Sequence, residues 1–160
     1  MGLEPVLSIV FLCAFLLPCG YAVYVDLQER RIPNGCVALL ALCGVAQLTL
    51  SWLMPSLAVL PWLPSPMERL FCAAAALAVG YGFELAWRRA RGGAHGMGFG
   101  DIKLLAAVSL WLGPAILWVV FLSCLLALAV ELPRGRRAFA FGPYIVAASA
   151  FCLLIPAFAV

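Results

Sequence analysis

From Leu104 to Val130 the chain runs for 27 residues without a charged side chain. As one helix this run would be about 40 Å long, more than the roughly 30 Å of hydrocarbon in a bilayer requires; as two spans it is short. Four further apolar runs accompany it, at 5–25, 35–54, 70–87 and 138–160, and the polar segments between runs carry most of the charge. With 66% hydrophobic and 11% charged residues, the chain lies far outside the range of soluble domains and reads as a membrane protein. Its 160 residues leave room for one domain, 1–160.

The basic residues decide how the long run divides. Arg30, Arg31, Arg88, Arg89, Arg91, Lys103, Arg134, Arg136 and Arg137 share one side of a membrane only if 104–130 crosses and returns, and positive charge collects on the cytoplasmic side. Gly113 and Pro114 stand where that turn is needed, and neither favours an uninterrupted helix. The expected fold is therefore all-α and polytopic: six transmembrane helices, both termini outside, and short cytoplasmic loops at 26–34, 88–101 and 131–137. Only Arg69 falls outside. A single tilted span over the long run would give five helices and divide the basic loops between two sides. Pro33 cannot continue the first helix, and Asn34 is expected to cap the second. The first 20 residues hold Glu4 as their only charge and lack a basic n-region, so the first segment is expected to stay in the mature protein.

The seven cysteines form no CxxC pair and sit almost entirely in apolar runs, so they read as small membrane-core residues and not as metal ligands. The net charge of +3 comes from basic residues at the ends of apolar segments, which suits lipid headgroups and not nucleic acid. His95, the single histidine, has no ligand partners in the pattern and reads as a solvated loop residue. Glu84 is placed to pair with Arg88 four residues on, and Glu131 with the basic residues around it.

The chain contains just two aspartates, Asp26 and Asp101, both at the expected cytoplasmic boundary. Carboxylates near membrane depth are costly, so each is expected to be paired or functional. Spacing leaves two possibilities open: ion pairs with Arg30 and Lys103, or a catalytic dyad. The surrounding residues add a resemblance. Gly98, Phe99, Gly100, Asp101 spell the GxGD motif of membrane aspartic proteases, and the longer GMGFGDIKLLAA closely resembles the signature of type IV prepilin peptidases. Asp26 followed by Arg30, Arg31, Ile32, Pro33, Asn34 looks like that family's other catalytic segment. Phe141, Gly142, Pro143, Tyr144 is similar to its C-terminal segment, although Ala140 stands where a proline is common. The larger members carry an insert with two CxxC pairs, absent here, so the chain resembles the short, peptidase-only members such as those of tight-adherence (Flp) pili.

The resemblance implies an aspartic endopeptidase of the bacterial inner membrane. It would remove the short basic leader of prepilins or pseudopilins at the cytoplasmic face, with Asp26 and Asp101 as catalysts and no metal or other cofactor. The glycine-rich segment with Gly98 and Gly100 is expected to let a substrate backbone approach Asp101. Lys103 is placed to hold a carboxylate or reach headgroups, and Arg30 to neutralise Asp26. Because a helix N-terminus favours an anion and a C-terminus does not, Asp101 is expected to be the charged member of the pair, unless Arg30 reverses the order. The competing readings are a non-catalytic pilus-assembly scaffold, a small proton or cation transporter, and a protease of the signal-peptide-peptidase kind.

Overall fold

The computed structural model describes residues 3–54, 63–92, 97–134 and 139–155. Among them the chain is all-helical: α1 (Leu3–Glu29), α2 (Asn34–Leu53), α3 (Pro66–Ala90), α4 (Phe99–Leu112), a 3₁₀ turn (Gly113–Ala115), α5 (Ile116–Glu131) and α6 (Gly142–Leu154). Four segments are long and apolar enough to cross a membrane, Pro5–Glu29, Asn34–Leu53, Pro66–Ala90 and Phe99–Glu131. Large apolar side chains such as Leu17, Phe71, Val79 and Leu117 are exposed on their outer faces, as lipid contact requires and water would penalise.

Helix ends differ in detail from the expected ones. Arg30, at φ 51°, takes the left-handed conformation that ends α1, and its N–H closes on the Asp26 carbonyl at 3.0 Å. Asp26 therefore lies inside the last turn of α1 and not in a loop. Pro33, not Asn34, is the N-cap of α2, because its extended backbone precedes the first helical residue. Helix α3 starts earlier than its apolar run: the Ser65 hydroxyl accepts from Glu68 N–H at 3.4 Å, and the Glu68 carboxylate accepts from Ser65 N–H at 3.0 Å. That capping box, with Pro66 at the first helical position, satisfies two donors of the helix start.

Helix α4 is the centre of the bundle and packs against α2, α3 and α6, while α5 lies on α6 and α1 on α2 and α6. Missing Cβ atoms make room at two of these contacts. A Cβ on Gly44 of α2 would stand 2.9 Å from Trp111 Nε1; without it, the fully buried indole reaches into α2 and donates to the Leu40 carbonyl at 3.0 Å. Phe11 and Phe15 of α1 meet the same ring edge-on, with centroids 6.2 and 5.3 Å away. A Cβ on Gly80 of α3 would come within 2.6 Å of Ile102 Cγ2, so that glycine admits the residue beside Asp101. Close approach at small residues is the principal packing device available where lipid offers apolar side chains no contrast.

The run 104–130 turns back on itself. Uninterrupted helix would put Asp101 and Glu131 about 45 Å apart. Instead Glu131 bonds to Tyr144, two residues past Gly142, which bonds to Asp26, itself close enough to Asp101 for their charges to interact. The reversal is made at Gly113, whose φ is 53°. The last carbonyls of α4 have no helical partner there, and Arg69 supplies one, its Nε donating to the Leu110 carbonyl at 2.6 Å. Arg69 is buried to 1% exposure, so the basic residue left apart by the charge pattern serves as the clasp of this turn.

The backbone at Gly113 suits glycine alone, and an added Cβ would also meet Arg69 and Pro64 at 3.1 Å. Gly113→Ala is expected to cost about 1–3 kcal/mol and to lower the thermal midpoint in detergent. A midpoint equal to wild type would contradict this reading of the turn.

Candidate active site

Four chain segments meet at the end of the bundle opposite Arg69: the C-terminus of α1, the 30–33 linker, the N-terminus of α4 and the N-terminus of α6. Ile32 of the linker joins them. A Cβ on Gly100 would stand 3.1 Å from Ile32 Cβ, and one on Gly142 would stand 3.3 Å from Ile32 Cδ1. The linker thus wedges between the starts of α4 and α6, and both helices accept it because each has a glycine in its first turn, Gly100 and Gly142.

This wedge brings the two aspartates together. Asp26 is buried at 5% exposure, and Asp101, less deeply covered, senses its charge. Each carboxylate accepts a backbone N–H from a helix start. Asp101 Oδ2 lies against Gly98, the N-cap of its own helix, whose N–H it accepts. Asp26 Oδ2 accepts the N–H of Gly142, the first residue of α6, at 3.0 Å. The expected asymmetry between the aspartates therefore loses its basis, because the positive end of a helix faces both.

The supporting residues sit differently from their expected places. Arg30 is exposed and makes no side-chain bond to Asp26. Lys103 holds no carboxylate; its Nζ donates to Asn34 Oδ1 at 3.2 Å, tying α4 to the start of α2. Gly98 and Gly100 leave space for Asp101 and Ile32, which already fill it, so their first use is assembly of the site. His95, with Gly93 and Gly96, lies outside the described residues, as do Arg136 and Arg137.

Glu84 does more than the expected pairing. Buried at 1% exposure in α3, it accepts from Arg88 Nε at 2.7 Å and from the N–H of Met97 at 2.8 Å. Arg88 in turn lies over the Phe99 ring, 4.6 Å from its centroid, and Tyr81 packs on the same ring at 5.4 Å. Residues 97–101 are thereby fastened to α3 at three points, which fixes where Asp101 enters α4. Gly142 and Ile32 are the other positioning residues that spacing did not reveal. Their only signal was membership of the FGPY and RRIPN segments.

The pair of carboxylates on converging helix ends is a constellation for moving protons to and from water and a carbonyl. A comparison with family profiles matches the type IV leader peptidase family over residues 10–132, a segment that includes both aspartates. The chain belongs to that family. Neither the curated proteins nor the solved structures give a significant match. The family is one of peptidases, and the apolar helices agree with a membrane-bound member of it.

A Cβ on Gly142 would come within 2.5 Å of Asp26 Oδ2, a position the carboxylate cannot keep. Gly142→Ala is expected to displace Asp26 and to reduce leader cleavage about tenfold or more, a barrier change of at least about 1.4 kcal/mol, with membrane insertion unchanged. Cleavage at the wild-type rate would show that the Gly142 contact does not position Asp26.

Proposed function

We propose that this leader peptidase is an aspartic endopeptidase that removes the short basic leader of a type IV prepilin or pseudopilin, with Asp26 and Asp101 as its catalytic dyad. The observation that carries the proposal is the convergence of the only two aspartates in the sequence, from helices 75 positions apart, at one end of the bundle. In the reaction one carboxylate, ionised, takes a proton from water as its oxygen attacks the scissile carbonyl. The other, protonated, donates to the carbonyl oxygen, and collapse of the tetrahedral intermediate returns a proton to the leaving amine. Neighbouring carboxylates suit this chemistry because charging both at once is unfavourable, so the pair holds a single proton between them.

The site is assigned to the cytoplasmic face of the bacterial inner membrane. Arg30, Arg31, Arg88, Arg89, Arg91, Lys103 and Arg134 lie at the dyad end of the bundle and Arg69 at the other, a distribution that supports this orientation. With the reversal at Gly113, the arrangement supports six crossings and outward-facing termini, α4, α5 and α6 being the short ones. Absence of the CxxC insert supports the short, peptidase-only form.

Asp26→Asn and Asp101→Asn each preserve size and remove ionisation. Co-expressed with a prepilin, both variants are expected to insert normally and to lose cleavage by about a thousandfold or more, the scale for removing one member of a general acid–base pair. Wild-type cleavage by either inserted variant would make that aspartate structural and overturn the dyad assignment.

A further inference from the structure

Helix α5 ends on Glu131, a residue only 7% exposed. The position is unfavourable for a carboxylate, because the closing carbonyls of a helix repel an anion and burial removes the water that would compensate. Its two oxygens are met unequally. Oε1 accepts the Tyr144 hydroxyl at 2.5 Å and lies 3.6 Å from Nη1 of Arg134, whose side chain is itself half exposed. Oε2 is buried and has no hydrogen-bond partner among the described residues. Glu131 also lines a cavity of about 330 Å³, whose other walls are apolar: Cys124, Ala127, Leu128 and Leu132 on one side, Phe139 and Phe141 on the other.

An apolar trough with an unpartnered carboxylate oxygen in its wall is complementary to a long alkyl stem ending in a cation. A lysine or arginine side chain could lay its methylenes along Leu128 and the two phenylalanines and place an N–H on Oε2. The trough also adjoins the dyad, since Phe141 forms one wall and the next residue, Gly142, holds Asp26 through its N–H. A side chain seated there would belong to the peptide being cut.

We infer that Glu131 and this trough form a specificity subsite that receives a lysine or arginine side chain of the leader. The inference rests on the leader-peptidase reading, because it is the leader that brings the cation. Arg134 engages Oε1 and leaves Oε2 for the substrate.

The test is steady-state cleavage, by the full-length enzyme in membranes, of a prepilin whose leader lysines and arginines are changed singly to glutamine. With wild type, one of these changes is expected to raise KM about tenfold or more, the scale of a charge-assisted hydrogen bond. With Glu131→Gln, the ratio of KM values for the neutral and basic leaders is expected to fall toward one. Leu128→Lys gives a second reading at a wall position in the last turn of α5, where a lysine can reach the membrane surface along its stem. A cation there is expected to raise KM for the basic leader more than for the neutral one. An unchanged ratio in both variants, or an equal loss of cleavage for both leaders, would overturn the subsite and leave the trough to packing or to lipid. If wild type cuts neither leader, the leader-peptidase reading fails and the subsite fails with it; if Asp26→Asn cuts as wild type does, the dyad assignment fails alone and the KM ratios still decide the subsite.

Discussion

A carboxylate buried at the end of a membrane helix must find a donor, and in this chain Asp26 finds the first N–H of α6. That one bond joins residues 116 apart and closes the bundle at the dyad end. It is possible only because residue 142 has no side chain and because Ile32 separates α4 from α6 by the width of one aliphatic group. Asp101 is held in the matching way by Gly98. The two aspartates thus owe their proximity to helix starts that supply donors, with glycine at the points where oxygen and isoleucine approach the backbone.

The central helix depends on a second set of close approaches. Gly44 admits Trp111 and Gly80 admits Ile102, so α4 is gripped from two sides before its first turn presents Asp101. Glu84 reaches out of α3 to the Met97 N–H, and Arg88 covers Phe99, so the segment leading into α4 is fixed as well. At the far end Arg69 caps the Leu110 carbonyl where the chain reverses. Asp26, Glu84 and Arg69 act where helix ends leave backbone atoms unmatched, and there they hold the geometry that apolar packing alone would leave adjustable.

Much of this was legible in the sequence where the signal is local. Apolar runs mark the helices, Gly113 and Pro114 mark the turn, and GxGD and RRIPN mark the aspartates. Long-range partners carry no such mark. Lys103 could equally have met a carboxylate, and only packing of α4 against α2 delivers it to Asn34. Arg30 stands four residues after Asp26, the spacing of a helical ion pair, yet the helix ends at Arg30 and its left-handed backbone turns the side chain away from that register. The expected charge asymmetry loses its basis for the same reason: the helix start that faces Asp26 belongs to α6, far along the chain. Gly98 and Gly100 looked permissive for a substrate, whereas the folded chain uses the space first.

The central claim is that the side chains at positions 26 and 101 meet at one end of the bundle. It is tested most directly by placing cysteines at both positions in a chain whose seven native cysteines are replaced, and treating membranes with a short bifunctional thiol reagent. An intramolecular cross-link between the two is expected, formed in the membrane-inserted protein and absent after unfolding in denaturant. Efficient labelling of both cysteines without any cross-link would contradict it, because the carboxylates would then be too far apart to share a proton.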